Sequence, residues 1–389
     1  MQDITYMDHA SATPVLPEVK DAIIPYLDQE YFNPSVVYDL GTRVKEKVEE
    51  ARGHVARLIG AQTEEIVFTS SGAEANNLAI KGIAFAHPKK GRRIIVSSIE
   101  HHSVLNSARF FERLDYEVTF LPVDKYGLVD PERLRKVITP DTVLVSVMHG
   151  NNEIGTIQPI RELSEIAHEN GAFFHTDAVA TVGNVPVDVN DLGVDLLSLS
   201  GISLGAPKGI GALYFKRNTR LMPLIHGGVQ ERGRRAGTEN VPGIIGLGKA
   251  AALRAGRLEE RAQYLKGLRD RLIQGVVSTI PKVHFTGHPE ERLPNHASFC
   301  VEGIEGEALI FMLAANGIYA NTGSACASKA LKTSPVLVAI GLSDVVAQGS
   351  VVFTLEESNT EDDIEKVLKV LPQVAERLRS MSPVWKEAA

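Results

Sequence analysis

Four polar side chains follow four separate apolar runs in this sequence. Asp177 and Ser200 come directly after two of the runs, and His101 and Asn152 lie in the loops after two others. A carboxylate, a hydroxyl, an imidazole and an amide can together orient and polarise a small ligand. Taken singly, His101 and Asn152 are equally well explained as hydrogen-bonded loop residues. Together the four positions favour a ligand site, because the strand ends of an open α/β sheet meet in one crevice.

A phosphate-binding turn is predicted where the apolar run Ile66 to Thr69 leads into SSGAEANN. A helix that begins here leaves the backbone N–H groups of Ser71, Gly72 and Ala73 without partners, because the first turn of a helix has no intrahelical acceptors. Such a helix start is a ready anion site. A small-residue turn of this kind is also common as a plain tight turn, so both interpretations stay open.

The two cysteines act singly, whatever they do. Cys326 lies in the small-residue loop NTGSACASKAL, whereas Cys300 falls in a predicted strand. Two cysteines cannot form a disulfide framework, and no closely spaced Cys/His set predicts a structural zinc site. Taken by itself, Cys326 is best explained as a small buried hydrophobic residue.

Alternating helices and strands position these residues. The helices are predicted from Leu16 to Tyr26 and from Thr42 to Leu58, where apolar residues recur at helical spacing. The later strands are predicted at residues 93–98, 143–148, 173–176, 195–199 and 210–215. This alternation indicates βαβ units on a largely parallel sheet and hence an α/β fold.

The pattern changes from about Leu258 onwards. A long charged helix (Leu258 to Ile280) is followed by short strands, and the closing helix begins at a capping box, Thr360-Glu361-Asp362-Asp363. We therefore expect a large domain over residues 15–257. A smaller α+β domain made of residues 1–14 and 258–389 would carry the Cys326 loop.

Charge and composition exclude several classes of partner. A formal charge of −7 and the absence of Lys/Arg runs argue against nucleic acid and against a membrane surface. No apolar run approaches the ~20 residues that span a bilayer, and the N-terminal residues are acidic where a signal peptide is basic. A cytoplasmic protein is expected.

The order of motifs along the whole chain resembles one family. The motifs are MDHASATPVLPEV, FNPSVVYDLG, EHHSV, NNEIGTIQPI, HTDA, GAPKGIGALYF, GGVQERGRRAGTENV, GSACAS and LRSMSP. They resemble the cysteine desulfurases among the class V, fold-type I pyridoxal phosphate enzymes. The resemblance implies a mixed, mostly parallel seven-stranded sheet in the large domain.

The resemblance also assigns roles around a pyridoxal phosphate cofactor. Asp177 would pair with the pyridine nitrogen and keep it protonated, so that the ring can act as an electron sink. His101 would stack on the ring, and Asn152 would lie beside the substrate and the ring hydroxyl. Ser200 and the amides of residues 71–73 would hold the phosphate.

Two further roles concern the partners of the chain. Thr238 would reach the phosphate of a partner subunit, which implies a homodimer. Cys326 would be the nucleophile that takes sulfur from cysteine as a persulfide, which a mobile loop permits.

The sequence departs from the family where the chemistry is done. The family has Ser-Gly-His-Lys where residues 200–203 read Ser-Gly-Ile-Ser, so Ser203 replaces the Schiff-base lysine. A serine hydroxyl cannot form an imine. Ala180 replaces a glutamine, Ala73 a threonine, and Val352 the arginine that clamps the substrate carboxylate. Lys208 has a counterpart in the family and is interpreted as structural.

Three functions compete. The first is a degenerate desulfurase that acts as a docking partner in iron–sulfur cluster assembly or sulfur transfer, with Cys326 carrying persulfide or ligating a cluster shared with a scaffold protein. The second is an active desulfurase that binds pyridoxal phosphate without a covalent bond. The third is a different chemistry that recruits Ser203 or His149 for a ligand without a carboxylate. The loss of a positioned proton carrier, worth about 10²–10⁴ in rate, favours the first.

Overall fold

A mixed seven-stranded sheet is the centre of the fold, as seen in a computed structural model that describes residues 4–323, 333–382 and 385. The strands are β1 (Thr5–Tyr6), β2 (Ile66–Thr69), β3 (Arg93–Ser97), β4 (Glu117–Leu121), β5 (Thr142–Ser146), β6 (Phe173–Asp177), β7 (Leu196–Ser200), β8 (Gly211–Phe215), β9 (Val283–Phe285), β10 (His296–Val301), β11 (Ile318–Tyr319) and β12 (Ser350–Thr354). The helices are α1 (Pro17–Ile23), α2 (Pro25–Asp28), α3 (Asp39–Leu58), α4 (Gly72–Ala86), α5 (His102–Glu112), α6 (Pro131–Val137), α7 (Ile160–Glu169), α8 (Val189–Leu192), α9 (Val241–Ala255), α10 (Leu258–Thr279), α11 (Gly306–Ala315), α12 (Pro335–Ala339), α13 (Asp344–Ala347) and α14 (Glu361–Met381). Short 3₁₀ helices cover Thr63–Glu65, Gly201–Ser203 and Gln230–Gly233.

The strand order in the large sheet is β2-β8-β7-β6-β5-β3-β4. Strands β4, β3, β5, β6 and β7 run parallel, whereas β8 is antiparallel to both of its neighbours. The predicted mixed, mostly parallel seven-stranded sheet is therefore confirmed.

Helices cover both faces of this sheet, which explains why its central strands β5, β6 and β7 are buried on both faces. Neighbouring residues of β3 point to opposite faces: Ile95 packs in the core beneath α3 and α9, and Ile94 and Val96 pack in the core beneath α4 and α5. The carboxyl ends of the parallel strands are left free of helices, so they border a crevice.

A second core lies under a three-stranded antiparallel sheet with the order β12-β10-β9. Helices α10, α11 and α14 pack against it, and the predicted capping box at Thr360 and Asp363 is confirmed. The division into residues 15–257 and the remainder stays a prediction.

One predicted helix is wrong in its extent. The segment from Leu16 to Tyr26 breaks into α1 and α2, because Pro25 has no N–H to continue the ladder. None of the described helices combines the length and the apolarity that a membrane crossing needs.

A buried ion pair fastens the loop after β8 to the rest of the chain. Both carboxylate oxygens of Glu231 accept from the Arg52 guanidinium, at 2.7 and 2.8 Å, and one also accepts from the Phe68 N–H at 2.8 Å. Both side chains are almost fully buried. Because Glu231 has a positive φ of 46°, these contacts also hold a strained backbone. The loop that carries Thr238 is thereby fixed against α3 and β2.

Glu231→Ala is expected to lower the free energy of unfolding by about 3 kcal/mol, because it leaves the buried Arg52 guanidinium without its charge partner. Equilibrium urea unfolding measures the loss. Glu49→Ala is the control, since Glu49 contacts the same Arg52 from a half-exposed position and its removal should cost less than about 1 kcal/mol. Similar losses in the two variants would contradict this assignment.

Candidate functional site

A cavity of about 500 Å³ opens at the carboxyl ends of the parallel strands. Its lining brings together eight of the residues that the sequence singled out. They are Ser71, Gly72, Ala73, His101, Asn152, Asp177, Ser200 and Ser203. The expected meeting of four strand ends in one crevice is therefore found.

Asp177 ends β6 and is held in place from two elements. Its Oδ1 accepts from the Val179 N–H at 3.0 Å, and its Oδ2 accepts from the Asn76 side chain at 2.7 Å. The same Asn76 amide donates to Ser103 Oγ at 2.9 Å, which lies 2.7 Å from His101 Nδ1. Burial raises the pKa of Asp177, while its hydrogen bonds and the nearby His101 lower it. This series of hydrogen bonds fixes the Asp177 carboxylate and the His101 imidazole relative to each other.

The start of α4 forms the opposite end of the cavity. Gly72 and Ala73 are the first two residues of the helix, so their N–H groups have no intrahelical acceptor. A side chain at position 72 would collide with Val179, 2.6 Å from where its Cβ would sit, and would lie 3.5 Å from Ser200. Glycine here lets the helix start approach the end of β7. This geometry suits an anion bound by backbone amides.

Ser203 lines the cavity but carries no reactive amine. Its hydroxyl donates to the Ser200 carbonyl at 3.2 Å and closes a short 3₁₀ helix. The Lys208 ammonium donates instead to the Thr13 carbonyl at 3.3 Å, and Lys208 is not among the lining residues. Its structural interpretation agrees with this position.

Val352 lines the other wall of the cavity. It lies in β12 opposite Ser298, and its backbone exchanges hydrogen bonds with Asn321 at 2.7 and 3.0 Å. The side chain is buried and offers only apolar contact. Ala180, also in the lining, contributes a single methyl group. Neither residue can bind a carboxylate.

Three residues that the sequence indicated stand outside this cavity or cannot be placed in it. Thr238 is exposed on the loop after β8 and does not line the cavity of its own chain. His149 is buried, with a pKa lowered to about 4 by burial, and it does not line the cavity either. Cys326 lies outside the described residues.

Cys300 is buried in β10, where burial raises the pKa of its thiol to about 12, so packing explains it.

The sequence reasoning missed several polar residues of the lining. Glu100 and Glu153 directly adjoin His101 and Asn152 in the quoted motifs, and His9 belongs to the first motif, so proximity in sequence was the available signal. Asn295 and Glu356, from the second core region, had no such signal.

The lining is acidic. It contains no lysine or arginine among the described residues, and it contains five carboxylic acids: Asp8, Glu100, Glu153, Asp177 and Glu356. Burial raises the pKa of Glu100 to about 8 and that of Glu153 to about 7. Only Glu356 has paired cations, Arg254 and Arg261, which hold its pKa low against the effect of burial.

Comparison with known proteins identifies the family. Residues 5–367 match the family model described as Aminotransferase class-V. The chain is 52% identical over 379 residues to "Cysteine desulfurase IscS" of Methanosarcina thermophila, covering 97% of this chain and 94% of that protein. It is 48% identical to "Cysteine desulfurase IscS 1" of Archaeoglobus fulgidus, covering 98% and 99%. The chain belongs to the cysteine desulfurase family.

Solved structures of the family share this fold. A "NIFS-LIKE PROTEIN" superposes with a TM-score of 0.90 at 34% identity, covering 96% of this chain and all of that one. The apo cysteine desulfurase of Thermococcus onnurineus NA1 superposes with a TM-score of 0.86 at 28% identity, covering 97% and 96%. The fold is that of the fold-type I pyridoxal phosphate enzymes.

Membership of the cysteine desulfurase family implies pyridoxal phosphate, and much of the cavity fits it. The free amides of Gly72 and Ala73, with Ser200, suit the phosphate, and the buried Asp177 carboxylate suits a protonated pyridine nitrogen. When bound, the cofactor supplies an electron sink. The described residues do not supply an amine within the cavity to hold it covalently.

Glu100→Gln should flatten the pH dependence of stability. The folded pKa of Glu100, about 8, lies above its ordinary value of 4.5, so the unfolded chain loses this proton first and stability falls as pH rises between about 4.5 and 8. The slope from this group reaches about 1.4 kcal/mol per pH unit. Urea unfolding of both proteins at pH 5, 6.5 and 8 measures it, and parallel curves would contradict the assignment.

Proposed function

We propose that this protein is a degenerate desulfurase-like partner in iron–sulfur cluster assembly or sulfur transfer, without normal desulfurase turnover. The observation that carries the proposal is the position of Ser203. Ser203 lines the cavity and its hydroxyl donates to the Ser200 carbonyl, and the sequence resemblance aligns this position with the family's Schiff-base lysine. Covalent capture of the cofactor and the positioned proton carrier are both lost.

The substrate end of the cavity supports the same proposal. Val352 lines the cavity at the position that the sequence resemblance aligns with the arginine that clamps the carboxylate of cysteine, and no lysine or arginine stands among the described lining residues to replace it. Free cysteine would therefore be neither anchored nor activated.

Cys326 is the group through which the protein would act. Its thiolate would attack the outer sulfur of a donor persulfide, the donor would leave as a thiolate, and Cys326 would carry the sulfur to an acceptor. Alternatively the same thiolate would ligate an iron–sulfur cluster shared with a scaffold protein. A single thiolate leaves the other cluster ligands to the scaffold.

A homodimer is part of the proposal. Thr238 is exposed and held on a loop fixed by the buried Arg52–Glu231 pair, so it is available to reach the phosphate end of a partner's cavity. The dimer would serve as the docking platform, in the cytoplasm.

A second candidate is an active desulfurase that binds pyridoxal phosphate without a covalent bond. The hydrogen-bonded pair of Asp177 and Asn76 and the free amides at the start of α4 favour it, because these groups can hold the ring and the phosphate.

The purified protein is expected to show no internal-aldimine absorbance, before or after addition of pyridoxal phosphate, and to release no sulfide from free cysteine. Absorbance spectra and a sulfide assay with dithiothreitol as reductant measure the two results. Cysteine-dependent sulfide release that disappears in Cys326→Ala would reject the proposal and establish the second candidate.

Reconstitution with an iron–sulfur scaffold protein, iron and sulfide tests the cluster version. We expect a cluster in the complex whose absorbance is lost or shifted in Cys326→Ala and kept in Cys300→Ala, because Cys300 is packed in the core. Circular dichroism confirms that both variants are folded. A cluster unchanged by removal of Cys326 would exclude ligation by this chain.

A further inference from the structure

The cavity offers hydrogen-bond acceptors in excess of donors on its described side chains. Its described lining has five carboxylic acids and neither lysine nor arginine. Two amide oxygens on lining residues, Asn76 Oδ1 and Asn295 Oδ1, are buried acceptors without a partner, and the Oε2 atom of Glu100 also has none. Because buried acceptors are normally paired, this surplus points to a ligand that brings donors or positive charge.

Two histidines of the lining, His9 and His296, do not offset the charge of the acids. Burial lowers the pKa of His9, and it lowers that of His296 to about 3, so both imidazoles are neutral at physiological pH. Both ring nitrogens of His9 are also buried without a partner.

The positive backbone groups are confined to one end. The free amides of Gly72 and Ala73 lie at the start of α4, beside Ser200. The matching ligand therefore has an anionic group at one end and a cationic donor at the other, with a ring nitrogen available to Asp177.

We propose that this cavity binds an organic phosphate that carries a primary ammonium group, the amine form of the cofactor, in preference to its aldehyde form. The inference rests on the proposed loss of Schiff-base chemistry and is independent of the role of Cys326. An aldehyde gains nothing from Ser203, which cannot form an imine with it. An ammonium group donates up to three hydrogen bonds and is attracted by the acids around it. An amino acid fits less well, because the described lining offers its carboxylate neither lysine nor arginine.

Isothermal titration calorimetry of the full-length protein at pH 8 tests the preference. The probes are pyridoxamine phosphate, pyridoxal phosphate and pyridoxine phosphate, which share the ring and the phosphate and differ in an ammonium, an aldehyde and a hydroxymethyl group. We expect pyridoxamine phosphate to bind at least tenfold more tightly than either of the others.

Two variants show whether the named groups are responsible. Glu153→Gln keeps the shape of a lining acid and removes its charge, so the preference for the ammonium form over pyridoxine phosphate should fall at least threefold, whereas Glu165→Gln on exposed helix surface should leave it unchanged. Ser203→Lys should produce an imine absorbance band with pyridoxal phosphate and should lower the affinity for pyridoxamine phosphate.

The outcomes separate this inference from the proposed function. Equal affinity for pyridoxamine and pyridoxine phosphates, or no binding of either, overturns the inference and leaves the role of Cys326 standing. An imine band in the unmodified protein with pyridoxal phosphate overturns the proposed loss of Schiff-base chemistry, and the inference falls with it.

Discussion

The hydrogen bonds that hold the Asp177 carboxylate at the end of β6 are the constraint on which the cavity depends. A buried carboxylate must be satisfied by donors, and here a backbone N–H and the Asn76 amide supply them. Asn76 lies one turn into α4 and also contacts Ser103 at the start of α5. One hydrogen-bond network therefore fixes the position of the Asp177 carboxylate relative to the Gly72 N–H group at the start of α4.

Ser203 and Val352 are both accommodated in this architecture. The Ser203 hydroxyl is satisfied locally by the Ser200 carbonyl, and Val352 contributes to β12 through its backbone pairing. Neither substitution leaves a buried polar group unpaired, so the fold tolerates both. The described lining holds five carboxylic acids and neither lysine nor arginine, and burial raises the pKa of Glu100 to about 8 and that of Glu153 to about 7.

The apolar periodicity of the sequence was enough to predict the sheet. The positions of His101, Asn152, Asp177 and Ser200 after strands were enough to predict that they lie in one cavity, since parallel strands place their carboxyl ends at one edge. The same rule could not find Asn295 and Glu356, which come from segments beside the second core, far along the chain from these strands. The helix predicted from apolar spacing continued past Pro25, because that spacing takes no account of the N–H group that proline lacks. The number of carboxylic acids in the cavity could not be predicted either, because the net charge of a chain does not show which side chains lie together in the fold.

The family, and the serine at position 203, follow from the amino-acid sequence alone, because motif order and residue identity are properties of the chain. The α/β sheet with helices on both faces also follows from it, through the alternation of helix and strand patterns. Three facts needed the folded chain: Lys208 donates to the Thr13 carbonyl, His149 does not line the cavity, and Thr238 is exposed and does not line the cavity of its own chain. Side-chain direction is set by packing against elements distant in sequence, and which charges lie within a few ångströms of one another follows from that packing.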